Sequence, residues 1–118
     1  MSKTNYGNTI VNVGDEQYTL NFNLKAVKGI EARFGGLAPA LQELQKVQLS
    51  AVASIIAIGT GKEFKRKDLE ELEEAIFDEG VGEVTPQVIP YILAMLNPKA
   101  KKAEDEEKAE EKAAEGNA

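Results

Sequence analysis

Gly59-Thr60-Gly61-Lys62 is the run whose residue types come nearest to a catalytic loop. A phosphate loop ends in this way, with backbone N–H groups cradling phosphate oxygens and a lysine reaching over them. That motif also needs a glycine at position 56, where Ile56 stands, and a Ser or Thr after the lysine, where Glu63 stands. A carboxylate there repels phosphate and cannot replace the hydroxyl that binds magnesium, so the run reads as the loop that closes a helix. Gly80-Val81-Gly82 is not a dinucleotide fingerprint, because position 85 is Thr85. Glu70, Glu71, Glu73 and Glu74 have the chemistry for paired-carboxylate acid–base work. At helical spacing around Leu69 and Leu72 they read instead as the wet face of an amphipathic helix. Histidine and cysteine are both missing from the 118 residues. Ser-His and Cys-His nucleophile systems, imidazole metal sites and thiolate metal sites are therefore excluded. No nucleophile, base and orienter can be assembled. The expectation is a non-enzyme with no catalytic residue, no cofactor and no metal site.

The charge balance narrows the partners. The formal net charge is −6. The cationic cluster Lys62, Lys65, Arg66 and Lys67 is interrupted by Glu63 and followed by Asp68, Glu70 and Glu71, so no basic stripe is available for nucleic acid. Absence of cysteine fits a reducing cytoplasm. Met1 to Asn5 lacks an apolar signal core, and no apolar run approaches the roughly 20 residues of a membrane span. The expected location is cytoplasmic, away from membranes. Residues 99–118 hold five lysines against seven acidic residues and nothing apolar larger than alanine. Such a segment cannot offset its ordering entropy. Its like-charge pairs Lys108–Lys112, Glu107–Glu111 and Glu111–Glu115 oppose a stable helix, although Glu104–Lys108 favours one. The chain therefore divides into a folded domain, 1–98, and a charged tail, 99–118, expected to be disordered and solubilising.

Periodicity places the elements. Thr9 to Val13 and Gln17 to Phe22 alternate as strands about Gly14-Asp15, with Val11 and Val13 sharing a face, opposite or beside Tyr18, Leu20 and Phe22. The period changes at Asn23. Leu24, Val27, Ile30 and Phe34 fall on one face of a helix that Gly35-Gly36 ends. Leu37, Leu41 and Leu44, with Pro39 in the first turn, place a second helix. Ser50 is expected to cap a third, running through Ile58 and closed by Gly59. Asp68 and Glu71 resemble a capping box opening a fourth through Leu69, Leu72, Ile76 and Phe77, which Gly80 stops. Thr85 as cap and Pro86 at the first helical position start a fifth. Pro90 is expected to kink or split it, and Asn97-Pro98 to end it. A lone hairpin is marginal in water, so it must lie on the helices. The fold class is α+β, mostly α: an N-terminal β-hairpin packed on a small bundle of four to five short helices.

The order Leu20, Phe22, Ala26, Glu31, Gly35 resembles the start of the tail assembly chaperones of long-tailed phages and gene-transfer agents. The likeness extends from about Asn12 to Leu96. That family places a mostly apolar helix next, then an acidic amphipathic helix ending in glycine, then a last apolar helix, and Ala51 to Ile58, Leu69 to Gly80 and Val88 to Leu96 follow this order. The charged extension after Asn97 and the Gly59–Lys62 loop depart from it. The resemblance implies a non-enzymatic chaperone that binds the tape measure protein before the tail tube polymerises. It also implies displacement by tube subunits, with the major tail tube protein a second partner, and absence from the mature virion. It further implies a longer product made by frameshifting, for which Lys101-Lys102 is the candidate slippery site.

Hydrophobic surplus gives that reading a physical handle. In Leu49 to Ile58 only Ser50 and Ser54 are polar, so this helix is expected at the centre. In Val88 to Leu96, one face carries Val88, Tyr91, Ile92 and Met95, and another carries Ile89, Leu93 and Leu96. A domain of this size buries only about 60–65% of the surface its unfolded chain exposes. Either both helices are wholly core, or one face is left for a partner, with Ile89, Leu93 and Leu96 as the candidate contact. Two other classes stay open: a structural tail or tube component that self-associates through a strand edge, and an adaptor that turns the same apolar face to another helical client.

Overall fold

The structure, a computed structural model, describes residues 8–98. The expected tail and the Lys101-Lys102 pair lie outside the described residues. Two strands come first, β1 (Thr9–Val13) and β2 (Glu16–Leu20), antiparallel with Val11 opposite Tyr18 and Val13 opposite Glu16. The two-residue loop is Gly14-Asp15. Gly14 has φ 60° while Asp15 stays out of positive φ, the pattern of a type II′ turn that matches the twist of its strands. Val11, Val13 and Leu20 are fully buried on the inner face. The second strand stops at Leu20, short of Phe22, because Asn21 turns its backbone N–H to the Gly59 carbonyl (2.8 Å).

Five helices follow: α1 (Leu24–Phe34), α2 (Leu37–Gln45), α3 (Leu49–Thr60), α4 (Arg66–Glu79) and α5 (Val81–Leu96). The Asn23 side chain caps α1 by accepting from the Ala26 N–H (2.8 Å), and Gly35 closes it in the left-handed region at φ 85°. The buried stripe of α1 centres on Ala26 and Ile30. Leu24 lies outside it and is 68% exposed, because residue 24 sits about 120° around the helix from Ile30. Phe77 likewise points outward, 69% exposed, beside the buried pair Leu72 and Ile76 of α4.

Four helix ends differ from the expected ones. Ser50 is not a cap: α3 starts at Leu49 after Gln48. Gly59 does not stop α3. It is buried inside the helix, and Gly61 closes the helix at φ 74°. In α4 the N-cap is Lys65, and Asp68 plays the reverse role, its carboxylate accepting from the Lys65 N–H (3.0 Å). Thr85-Pro86 does not start a helix either. α5 begins directly after Gly80, which accepts from the N–H groups of Glu83 and Val84. Thr85 is buried and donates its hydroxyl to the Val81 carbonyl (2.7 Å). Pro86 and Pro90 both lie inside one continuous helix. Both are exposed, as is Gly82, so the carbonyls of Gly82 and Pro86 that lose a donor are on the watered side.

The core forms around α3 and α5. From Ala51 to Ala57 every residue of α3 is buried, as the all-round apolar pattern requires. α3 meets β2, α1, α2, α4 and α5, while α5 meets β1, α2, α3 and α4. Gly59 lets α3 approach β2. A Cβ there would stand 3.0 Å from Leu20 Cβ and 3.2 Å from the Tyr91 hydroxyl. Asn21 joins all three elements: its N–H donates to Gly59, its side-chain amide donates to the Thr60 carbonyl (3.2 Å), and its own carbonyl accepts from Tyr91 Oη (2.7 Å). Tyr91 is fully buried, and burial holds its phenol well above the ordinary 10.0.

Candidate interaction surface

The loop with phosphate-like spacing is the wrong end of a helix. Thr60 Oγ1 donates to the Ala57 carbonyl (2.8 Å) and accepts from the Lys62 N–H (3.3 Å). The Gly59 and Thr60 carbonyls take both amide groups of Asn21. Anion cradles use the free N–H groups at a helix N-terminus, where the dipole is positive. Here the C-terminal carbonyls of α3 present the negative end, and they are already engaged. Glu70, Glu71 and Glu74 are exposed along α4 and Glu73 is half-buried. Glu70 stands 3.9 Å from Arg66 one turn away, a solvated pair.

The last helix separates its two faces. Val84, Val88, Tyr91 and Ile92 are fully buried and Met95 nearly so. Leu93, on the opposite side at 3.6 residues per turn, is 48% exposed, and Leu96, one turn on, is 44% exposed. Ile89 differs from the other two: it is half-buried and packs against the core, so it borders the patch more than it forms it. Leu93 and Leu96 therefore carry the exposed part of the predicted triplet. The remaining large exposed apolar side chains are dispersed over other elements: Ile10 on the outer face of β1, Leu24 at the start of α1, Val47 between α2 and α3, and Phe77 late in α4. Spacing alone assigned Leu24 and Phe77 inward, and the stripe centres on Ile30 and on Leu72–Ile76 are the signals that separate them.

At Asn12 the outer edge of β1 is occupied rather than open. Asn12 points its backbone away from β2, and the Gln87 side chain of α5 takes it at both ends. The Asn12 N–H donates to Gln87 Oε1 (2.8 Å), and Gln87 Nε2 donates to the Asn12 carbonyl (3.0 Å). One amide side chain thus stands where a neighbouring strand would pair, which blunts the edge against addition of another chain.

Among the described residues no helix is long and apolar enough to cross a membrane. No family model matches this chain, and neither a curated protein nor a solved structure matches it.

Proposed function

We propose that the chain is a non-enzymatic assembly chaperone of the kind that serves phage-like tails, binding the helical tape measure protein through the exposed side of α5. The single observation that carries this reading is the pair Leu93 and Leu96, two leucines one turn apart, each about half exposed on a helix whose other face is core. A client helix with apolar residues every three to four positions can lay its stripe along them, the helix-on-helix mode of recognition. The resemblance at Leu20, Phe22, Ala26, Glu31 and Gly35 supplies the client. Physically those positions serve the fold: Leu20 and Ala26 are buried, Phe22 packs against the core, and the Glu31 carbonyl accepts from the Gly35 N–H (2.8 Å). On this reading the chain acts in the host cytoplasm during assembly, the major tail tube protein displaces it, and its net charge of −6 opposes self-association. Gln87 weighs against the structural-subunit alternative at the β1 edge, since a strand added there would have to displace it.

The test is co-expression with the tape measure protein of the phage-like tail that the chain is proposed to serve. The expected outcome is that the client stays in the soluble fraction and co-purifies with the chain, which is then missing from finished particles. A client equally soluble without the chain, or the chain recovered as a particle component, overturns the proposal.

A further inference from the structure

A second feature lies on the far side of α3 from the hairpin junction. The end of α1, the middle of α3 and the α3–α4 connection enclose an open depression of about 260 Å³. Ile58, Phe64 and Leu69 give it an apolar wall, and Arg33 and Lys62 bring cations to it. Ser54 also lines it and is 7% exposed, so its hydroxyl can be reached from the depression. Neither Arg33 nor Lys62 has a carboxylate within ion-pair distance among the described residues. The Arg33 guanidinium rests over the Phe34 ring at 4.8 Å. Two uncompensated cations on a chain of net charge −6 are a local reversal of sign.

We infer that this depression is a docking site for a partner polypeptide, taking an acidic side chain together with the apolar residue beside it. The carboxylate would meet Arg33, Lys62 and the Ser54 hydroxyl, while the apolar neighbour rests on Ile58, Phe64 and Leu69. Size argues for a side-chain anchor over a free metabolite, because small-molecule pockets typically span about 300–1,000 Å³. Charge sign argues against a nucleic acid occupant as little as it argues for one, but the apolar wall and the neighbouring Glu63 disfavour a phosphate backbone. The site is separate from Leu93 and Leu96 and stands or falls independently of the client proposed for them.

The experiment is an amide-resolved NMR titration of the full chain. The probes are a blocked pentapeptide with glutamate between leucine and phenylalanine, its glutamine counterpart, and phenylbutyrate as a small acid. The glutamate peptide is expected to move the resonances of Ser54, Lys62 and Phe64 and to bind about fivefold more tightly than the glutamine peptide. Arg33→Gln with Lys62→Gln, both at exposed positions, should abolish that preference while leaving the spectrum of the core unchanged. Equal affinity for the two peptides, or shifts that map elsewhere, overturns the assignment. So does phenylbutyrate binding as tightly as the peptide, which would mark a small-molecule pocket. Movement of the same resonances on changing Glu104, Glu106 and Glu107 to Gln would give the site to the chain's own tail and equally overturn it.

Discussion

Tyr91→Phe removes one oxygen from the point where the hairpin, α3 and α5 meet. Tyr91 is fully buried and its hydroxyl donates to the Asn21 carbonyl at 2.7 Å. The ring remains, so packing is kept, and the loss is the hydrogen bond together with an acceptor left without its donor. Leaving such a group unsatisfied costs about 1–3 kcal/mol. Asn21 is only half-buried and water can reach part of it, which places the expected value at about 1–2 kcal/mol. For a domain of this size that is a fall in Tm of roughly 5–12 °C. The pH dependence adds a second, independent signature. The folded protein holds the Tyr91 phenol above its ordinary 10.0, so above pH 10 the unfolded chain releases a proton that the folded chain keeps. Unfolding is then favoured as pH rises: the stabilisation is full below pH 10 and is lost above it, by at most about 1.4 kcal/mol per pH unit. The Phe variant lacks this loss. Tyr18, raised by burial and then by Glu16, is present in both proteins and cancels. Urea unfolding at pH 8, 10 and 11 should therefore show the variant less stable at pH 8, with the gap narrowing at pH 11. A difference under about 0.5 kcal/mol at pH 8, or a gap that stays constant to pH 11, would refute the reasoning.

Two further substitutions probe the same framework. Gly59→Ala gains helix propensity but sets a methyl 3.0 Å from the backbone-anchored Cβ of Leu20; overpacking of about 1–3 kcal/mol should outweigh the gain, and calorimetry should record a lower Tm. Gln87→Ala frees both backbone groups of Asn12. It should cost about 1 kcal/mol, with faster hydrogen exchange at the Asn12 amide and more self-association at high concentration by light scattering.

Much of the fold was legible because local and tertiary signals agree. The hairpin follows from Gly14 between alternating runs, the central position of α3 from its nearly unbroken apolar sequence, and the end of α4 from Gly80. The misreadings fall where local chemistry yields to packing. Thr85-Pro86 has the composition of a helix start, but burial of Val84 and Thr85 draws the preceding turn into α5, and the threonine hydroxyl bonds back to Val81 instead. Gly59 looks like a stop signal because glycine is one, yet here its missing side chain admits Leu20, a neighbour 39 residues away in sequence. Of the candidate interaction surface, the spacing of Leu93 and Leu96 was readable, whereas the inward lean of Ile89 depends on neighbouring elements. The Arg33–Lys62 depression could not be read from the chain, since it exists only where the end of α1 meets the loop before α4.

The measurement that bears most directly on the proposed role is the affinity of the chain for the tape measure protein after Leu93→Asp and Leu96→Asp are introduced together. Each leucine has roughly half its surface still to bury, about 1 kcal/mol apiece, so binding should weaken by about thirtyfold or more while the melting temperature stays within a few degrees. Undiminished binding by a variant that remains folded would contradict the account.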